Sequence, residues 1–217
     1  MQTFKQRLEI LRKQFGIDFG VFQKVAGRFI KPDMLLFGYN KTEFIEADAL
    51  VDKLRKQPLT NLVELGVNWG ASLFMYSRFL APGSTIVGVD CGLYPGIHDV
   101  HKVLDYLRDK EGHTVHFLNM TTGAAIPKVK ELLPTVDFLH IDAGHSYVSA
   151  KHDWTNYTPM VAPGGLIVMH DVATSAIPEV GKFWREIRDN LPQKYEVSAP
   201  AKKYENRHGV AVVVKTW

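Results

Sequence analysis

The stretch "VELGVNWGAS", residues 63–72, joins a strand-like run to a helix-like segment through two glycines. The apolar run "NLVELGV" at 61–67 ends close to the first glycine turn, and "ASLFMYSRFL" at 71–80 has helical spacing. A buried strand that turns directly into a helix is typical of the first half of a strand–helix–strand unit. The stretch therefore predicts an α/β sheet that begins near residue 60.

The same alternation continues towards the end of the chain. Strand-like runs follow at 84–90, 114–120, 136–142 and 164–171, separated by helix-like segments at 99–112, 123–134, 147–161 and 178–191. The remainder, 195–217, predicts two strands around a solvated polar turn, "AKKYENRHG" at 201–209. This order favours an α/β fold with a doubly wound, mostly parallel seven-stranded sheet and an antiparallel hairpin at its end.

The pattern before residue 60 is different. "TEFIEADALVDKLRKQ" at 42–57 carries one apolar helical stripe, whereas residues 20–40 are aromatic and less regular. We expect residues 1–58 to form an N-terminal helical cap or lid and residues 59–217 to form one compact domain. A simple core-covering role for the N-terminal helices is the alternative.

Composition excludes several classes of protein. The chain has 217 residues, of which 46% are apolar and 23% charged, with a net charge of +3. No apolar run approaches the roughly 20 residues that span a bilayer, and no basic run indicates nucleic-acid binding. The first residues lack the features of a signal peptide. Cys91 is the single cysteine, which fits a reducing, cytoplasmic compartment. A homo-oligomer formed through the N-terminal helices stays open.

The glycine turn is the first candidate binding site. Ligands of doubly wound sheets bind outside the carboxyl ends of the strands, where Glu64, Gly66 and Gly70 stand. The pattern E-x-G-x-x-x-G-x-S differs from the dinucleotide fingerprint. An acid at the strand end repels a pyrophosphate but suits an ammonium group such as that of S-adenosylmethionine. Asp90 ends the second strand and can accept from both ribose hydroxyls, which NAD and S-adenosylmethionine share. A glycine turn without a ligand is the structural alternative.

Five motifs together indicate a family. "VELGVNWGAS", "IVGVD", "VDFLHIDAGHSY", "APGGLIVMHDV" and "GKFWREI" resemble class I S-adenosylmethionine-dependent methyltransferases. More narrowly, they resemble the subgroup that includes cephalosporin-hydroxylase-like proteins and metal-dependent macrolide sugar O-methyltransferases. The resemblance covers about residues 60–191. It implies a Rossmann-like fold and methyl transfer to a hydroxyl of a small molecule, of the sugar or natural-product type.

The resemblance also implies a cofactor site. Glu64 would hold the methionyl amine and Asp90 the ribose. The other contacts at the turn would come from Gly66, Asn68, Gly70 and Ser72. Near the adenine the family usually places an acid, but this chain has Met120, which would pack on the ring. Asp142, at the end of the fourth strand, counts with both the cofactor site and the metal site.

The stretch "LHIDAGHSYVSAKHDW", residues 139–154, supplies candidates for the chemistry. In the resembled metal-dependent enzymes, carboxylates at the positions of Asp142 and Asp171 hold one Mg²⁺ or another divalent metal. A bound divalent ion lowers the pKa of a substrate hydroxyl. His145 would be the general base, because imidazole titrates near neutral pH. The alternative is a histidine that bonds backbone at a helix start.

His170 departs from the resembled pattern, because the sugar O-methyltransferase carries an acid there. Imidazole ligates Mg²⁺ poorly but suits Mn²⁺, Fe²⁺ or Zn²⁺. His170 is therefore a candidate metal ligand, a second base or a hydrogen-bond donor to the substrate. His140 lies inside a predicted strand, and His152 and Asp153 lie within a predicted helix. We expect these three residues to be structural.

Other functions stay open at this point. The family includes proteins with a hydroxylase-type role, and a nicotinamide-dependent oxidoreductase uses a similar sheet. The absent G-x-G-x-x-G pattern and Glu64 disfavour the oxidoreductase. Retained Asp142, His145 and Asp171 disfavour a non-catalytic nucleoside-binding protein, and "DAGHSY" replaces the motif expected of a nucleic-acid base methyltransferase. The sequence does not name the acceptor, because acceptor pockets are built from variable loops.

Overall fold

The computed structural model describes residues 2–15, 41–93, 100–173, 178–197 and 208–217. Its strands are β1 (Leu59–Leu65), β2 (Leu80–Asp90), β3 (Thr114–Asn119), β4 (Val136–Ile141), β5 (Val161–His170), β6 (Lys194–Val197) and β7 (Val210–Val214). Its α-helices are α1 (Phe4–Gln14), α2 (Lys41–Leu54), α3 (Ala71–Ser77), α4 (Val100–Asp109), α5 (Thr122–Leu132), α6 (Tyr147–Tyr157) and α7 (Pro178–Ile187).

All seven strands form one sheet in the order β3-β2-β1-β4-β5-β7-β6. The first five strands pair in parallel, and β7 lies antiparallel between β5 and β6. The predicted doubly wound sheet with an antiparallel C-terminal hairpin is confirmed. The last strand of the chain, β7, lies between β5 and β6, so the hairpin joins the sheet through β7 and leaves β6 at the edge.

Helices cover both faces of the sheet. One core packs side chains of α1 to α4 against one face, and a second core packs α5 to α7 against the other. The central strand β4 is buried along nearly its whole length, which explains its continuous apolar character. Strands that are buried on both faces need apolar residues at successive positions. These continuous apolar runs are the pattern that most clearly predicts the strands.

The order of the sheet reverses beside β1. From β1 the chain winds outwards through β2 and β3, then returns to β4 on the other side. Such a switch point leaves a crevice outside the carboxyl ends of the two adjoining strands. The glycine turn follows β1 and Asp142 follows β4, so the topology brings both candidate regions to this crevice.

The N-terminal helices are packed on the body of the protein. Arg7 of α1 is buried and lies 2.7 Å from Glu111, while Asp48 of α2 forms a buried ion pair with Arg78. The predicted helical character is confirmed, whereas the aromatic stretch at 20–40 lies outside the described residues. A domain boundary at residue 58 stays a prediction. Among the described residues, no helix has the length and apolar character needed to span a bilayer.

Candidate active site

The turn after β1 is shaped by three left-handed residues. Gly66, Asn68 and Gly70 have φ angles of +86°, +46° and +78°, and Gly70 is the N-cap of α3. The amide of Gly66 donates to the carbonyl of Val89 over 2.8 Å, and the amide of Asn68 donates to Asp90 Oδ2 over 2.8 Å. The turn is therefore fixed to the end of β2 by two hydrogen bonds.

Gly66 is also required by the chain on its other side. A Cβ atom at this position would lie 2.1 Å from the carbonyl oxygen of Asp142 and 2.7 Å from the Cα of Ala143. The amide of Asp142 donates to the carbonyl of Leu65 over 2.8 Å. The sequence predicts Gly66 as a cofactor contact, and its missing side chain also makes room for the backbone after β4. The missing side chain brings the β1 turn directly against Asp142.

Asp90 connects the two loops that follow β1 and β2. Its Oδ2 accepts from the amide of Asn68, and its Oδ1 accepts from the amide of Gly92 over 2.7 Å. The carboxylate is half-buried. Each carboxylate oxygen has a second lone pair, so these bonds orient Asp90 and leave it able to accept hydroxyl donors.

Glu64 lies fully buried beneath the glycine turn. Its Oε1 accepts a hydrogen bond from Ser72 Oγ and lies 2.8 Å from His140 Nδ1. Burial raises the pKa of Glu64, although His140 and Ser72 oppose that change. His140 was expected to be a scaffold residue, and the structure places it against the side chain that was expected to bind the cofactor.

Two buried acceptor atoms at this turn have no hydrogen-bond partner among the described residues. They are Oε2 of Glu64 and Oδ1 of Asn68. A buried acceptor without a donor costs about 1–3 kcal/mol. An ammonium or hydroxyl donor from a ligand would remove that cost. The methionyl amine and ribose hydroxyls of S-adenosylmethionine are donors of these kinds, so the residues present fit this cofactor.

Met120 follows β3 at the same edge of the sheet. Asn119 is the register partner of Asp90, so Met120 lies one residue beyond the candidate ribose carboxylate. Its side chain is partly buried against the second core. Thr121 caps α5 by accepting from the amide of Ala124 over 3.3 Å. The structure thus places an apolar, partly accessible side chain where the family usually has an acid.

Five polar residues meet at the ends of β4, β5 and β7: Asp142, His145, His170, Asp171 and His208. Asp142 Oδ1 lies 3.0 Å from His170 Nδ1 and 4.0 Å from His145 Nε2. Asp171 Oδ2 lies 3.3 Å from His145 Nε2. Asp171 Oδ1 lies 2.7 Å from His208 Nδ1 and 3.6 Å from His170 Nδ1. We call these five residues the His–Asp cluster.

Backbone geometry and charge define this cluster further. Asp171 is buried and has a φ of +64°, a conformation that non-glycine residues rarely adopt. Burial would raise the pKa of Asp171, but His170, His208 and His145 outweigh it and hold that pKa below its ordinary value. Burial would lower the pKa of His170, but Asp142 and Asp171 outweigh it and raise that pKa.

In the part of the chain that the structure describes, potential metal ligands are close together in two overlapping groups. In each group, one donor atom per residue lies within 4.8 Å of the others. The groups are Asp142, His145 and Asp171, and His170, Asp171 and His208. Carboxylate oxygens with imidazole nitrogens are a donor set that suits divalent first-row metals. The residues present therefore fit a divalent cation, and Asp171 is common to both groups.

His208 is the residue that sequence reasoning missed. The pattern placed it in a solvated turn, but the amide of Ala173 donates to its carbonyl over 2.9 Å, beside the end of β5. His170 pairs with Val210 in the antiparallel ladder, so position 208 faces position 172. That register follows only once β7 is known to pair with β5. The dipeptide His208-Gly209 directly before a strand was the available signal.

The remaining histidine and aspartate of this region lie in α6. His152 is exposed, and its Nδ1 lies 3.3 Å from Oδ1 of the buried Asp153. Neither residue belongs to the two groups of potential ligands. The structure therefore separates them from the His–Asp cluster, in line with their expected structural role.

A family model for the methyltransferase domain matches residues 63–172, about half of the chain. The chain belongs to this methyltransferase family. The matched segment runs from the glycine turn to the end of β5 and holds every candidate cofactor and metal residue that the sequence indicated. The predicted resemblance to S-adenosylmethionine-dependent methyltransferases is confirmed over this segment.

Solved O-methyltransferases share this fold. TomG from Streptomyces achromogenes, involved in tomaymycin synthesis and solved with S-adenosylmethionine, is 14% identical, with a TM-score of 0.61 over 93% of this chain and 96% of that one. A Bacillus cereus O-methyltransferase bound to S-adenosylhomocysteine is 14% identical, with a TM-score of 0.60 over 98% and 90%. CalS11, a TDP-rhamnose 3'-O-methyltransferase of calicheamicin biosynthesis, is 14% identical, with a TM-score of 0.57 over 97% and 92%.

One curated relative is similar in sequence. The uncharacterized protein y4gI of Sinorhizobium fredii is 26% identical over 163 residues, which are 68% of this chain. The chain spans about a sixth of the length of that relative, since the match covers 17% of it.

Proposed function

We propose that this methyltransferase transfers the methyl group of S-adenosylmethionine to a hydroxyl of a small molecule, with assistance from a divalent metal. The observation that carries the proposal is the contact between Gly66 and the backbone of Asp142. It joins the buried acceptors of the β1 turn to the His–Asp cluster. A cofactor held at the β1 turn would therefore present its methyl group to an acceptor held at the His–Asp cluster.

The first two strands supply the cofactor contacts in this proposal. Glu64 Oε2 would accept from the methionyl ammonium, and Asn68 Oδ1 would accept from a further donor of the cofactor. Asp90, oriented by two backbone amides, accepts from the ribose hydroxyls. Met120 packs against the adenine. Ser72 acts through Glu64, because its hydroxyl is already bonded to that carboxylate.

The second part of the site deprotonates and orients the acceptor. Asp142, Asp171 and His170 would hold the metal, which would lower the pKa of the acceptor hydroxyl. His145 Nε2 lies between the two carboxylates and its side chain is 38% exposed. His145 Nε2 would accept the hydroxyl proton. The cofactor, when bound, would supply the methyl group, whose bond to sulfur would break as the bond to the acceptor oxygen forms. His145 then releases its proton to solvent.

A sugar or another natural-product hydroxyl is the acceptor class we favour. The support is the fold shared with CalS11, a TDP-rhamnose 3'-O-methyltransferase, and with TomG, an O-methyltransferase involved in tomaymycin synthesis. Residues 1–58 are proposed to cover this site as a cap, and residues 59–217 to form the catalytic unit. Membership in the methyltransferase family favours methyl transfer over hydride transfer to a nicotinamide.

Calorimetric titration of S-adenosylhomocysteine and of NAD⁺, each in Mg²⁺, in Mn²⁺ and in EDTA, tests the cofactor. We expect S-adenosylhomocysteine to bind and NAD⁺ not to bind. Glu64→Gln should weaken that binding about tenfold or more, because a charge-assisted hydrogen bond contributes about 1.5–3 kcal/mol. Glu46→Gln, an exposed carboxylate of α2, is the matched control and should bind normally. Absence of S-adenosylhomocysteine binding under every condition contradicts the proposal.

Turnover with a panel of nucleotide-linked sugars and catechols, with S-adenosylmethionine labelled in its methyl group, tests the acceptor. Label should appear on an oxygen of a sugar, and its appearance should require a divalent ion. Label on nitrogen or on carbon would contradict O-methylation while leaving the cofactor assignment in place.

A further inference from the structure

His208 has a built position in the His–Asp cluster that the proposed function does not use. Its Nδ1 lies 2.7 Å from Asp171 Oδ1, and its ring stacks on that of His170 with centroids 5.4 Å apart and planes 12° apart. Two backbone hydrogen bonds hold the segment, from Ala173 to His208 over 2.9 Å and from Val172 to Gly209 over 3.3 Å. The imidazole is therefore fixed beside the buried carboxylate by main-chain and side-chain contacts.

The donor atoms of four cluster residues form a continuous run. Oδ1 of Asp142 lies 3.0 Å from Nδ1 of His170, which lies 3.6 Å from Oδ1 of Asp171. That oxygen lies 2.7 Å from Nδ1 of His208. Ligand atoms that share one ion at about 2.1 Å lie roughly 3 Å from their neighbours. Each step of the run is close to that spacing.

We propose that His208 is a metal ligand together with His170 and Asp171, whose donor atoms all lie within 4.8 Å of one another, and that the site selects a first-row transition ion such as Mn²⁺, Fe²⁺ or Zn²⁺ over Mg²⁺. The inference rests on the proposed function in one respect, which is that a divalent ion binds at the cluster. It adds a ligand from the segment that precedes β7 and names the class of the ion.

The chemistry of the donors carries the choice of ion. Mg²⁺ prefers an octahedron of oxygen ligands and keeps several of its waters. A site with two imidazole nitrogens binds Mg²⁺ weakly, whereas the affinity of divalent first-row transition ions for nitrogen ligands rises along the series. His170 and Asp171 are almost fully buried, which leaves little room for a hydrated ion on that side. His145 stays outside the run and keeps its place as the proposed base.

A simpler role for His208 is that of a prop which only orients Asp171. The substitution His208→Asn separates the two roles, because its amide can still donate to Asp171 but lacks an imidazole nitrogen. Under the simpler role, metal affinity and selectivity would not change. His152→Asn is the matched control, since that histidine also lies beside an aspartate but outside the cluster.

Calorimetry on chelator-treated protein, with S-adenosylhomocysteine present and Mn²⁺ or Mg²⁺ as the titrant, tests the proposal. Wild type should bind Mn²⁺ at least about tenfold more tightly than Mg²⁺, following the affinity order of nitrogen-containing sites. His208→Asn should lose about tenfold or more in Mn²⁺ affinity, at least the loss seen when a supporting residue is removed. It should leave Mg²⁺ affinity little changed, and His152→Asn should resemble wild type for both ions.

Pulsed electron paramagnetic resonance of bound Mn²⁺ gives a second readout without any variant. Couplings to ¹⁴N in wild type are expected, and their weakening in His208→Asn would support ligation by that imidazole. Spectra without nitrogen couplings would overturn the inference even if the variant does not fold.

The outcomes also separate this inference from the proposed function. If His208→Asn binds Mn²⁺ as wild type does while Asp142→Asn loses binding, His208 is not a ligand and the metal-assisted mechanism stands. If wild type binds S-adenosylhomocysteine but neither ion, both the inference and the metal assistance fail. Methyl transfer itself would then be judged by the turnover panel.

Discussion

At residue scale, the position of Gly66 shows how closely one strand end can constrain another. A Cβ atom there would overlap the main chain of Asp142, and the φ of +86° adds a second penalty. Gly164 has nearly the same φ, +85°, but no atom lies within 4 Å of the Cβ position. The two glycines share the conformational penalty and differ in the contact, so they form a matched pair.

We expect Gly164→Ala to lower the free energy of unfolding by about 1–2 kcal/mol, the usual cost of a left-handed alanine. Gly66→Ala should cost about 4 kcal/mol or more, because main-chain atoms cannot move aside cheaply. Urea unfolding of both variants measures the difference. Equal losses would mean that the contact with Asp142 has no effect on stability, and that the two strand ends are not held as the structure describes.

His145 makes a second residue-scale prediction, about rate. His145→Ala should lower kcat by about 10²–10⁴, the usual contribution of a positioned base. The affinity of this variant for S-adenosylhomocysteine should stay unchanged, because His145 is not among the proposed cofactor contacts. Single-turnover kinetics, with His152→Ala as the control, measures the effect. A kcat equal to that of wild type in His145→Ala would show that His145 is not the base and that another group accepts the proton.

At element scale, α1 is held by an arginine that its amphipathic pattern did not predict to be buried. Arg7 is 2% exposed and donates to Glu111, to Ser77 and to the carbonyl of Phe74. Its guanidinium also lies over the Phe74 ring, with the Cζ atom 3.8 Å from the centroid. Periodicity assigns a charged residue to the surface, and only the contacts with α3 and with Glu111, which follows α4, reverse that assignment.

Glu111→Gln should therefore destabilise the fold by about 3 kcal/mol near pH 7, because it leaves the charge of Arg7 buried without its carboxylate. Burial raises the pKa of Glu111, but His113 and Arg7 outweigh it and hold that pKa below its ordinary value. Because the folded-state pKa is lower than the unfolded value of about 4.3, the stabilisation is complete above that pH and is lost as pH falls through the folded-state pKa.

The difference between wild type and Glu111→Gln should thus shrink below about pH 4 in denaturant titrations followed across pH. Glu9→Gln is the control, because Glu9 pairs with Lys13 on the exposed side of the same helix. We expect little change in stability from it. A difference that persists unchanged at low pH would show that the ionised carboxylate is not what anchors α1.

The secondary-structure elements themselves were largely predictable, because each depends on local spacing. The predicted strands and helices exist, and they differ mainly at their ends. Strand β2 begins at Leu80 and β5 at Val161, several residues before the predicted starts at 84 and 164, since both continue through a left-handed glycine. Helix α5 begins at Thr122, one residue before the predicted start, and Pro127 lies in its second turn.

At the scale of the whole molecule, the site divides into a part that topology implies and a part that it does not. Asp142 and Asp171 end neighbouring parallel strands, so the alternation of strands and helices already predicts that they lie close together. His208 reaches the same place from a strand that inserts between β5 and β6. No local pattern distinguishes this insertion from a hairpin added at the outer edge.

Deletion of the segment that contains β7 tests the stability of the whole fold. Four valines and one alanine of β7 are buried, at positions 210–214. Burying a valine contributes about 1.5–3 kcal/mol, so the four together are comparable with the roughly 5–15 kcal/mol that stabilise a whole domain. Deletion of residues 208–217 would also leave the edge of β5 unpaired. We expect the shortened chain to lack a cooperative unfolding transition, in circular dichroism and in hydrogen exchange.

Deletion of residues 216–217 alone is the matched control, because both are exposed and follow the end of β7. That chain should unfold as wild type does and should still bind S-adenosylhomocysteine. If the longer deletion also folds cooperatively, β5 must be a stable edge strand, and the sheet would tolerate the loss of β7. The proposed cofactor crevice lies between β1 and β4, so such a chain should still bind S-adenosylhomocysteine while losing His208. Its Mn²⁺ affinity would then measure the contribution of that histidine in the absence of its strand.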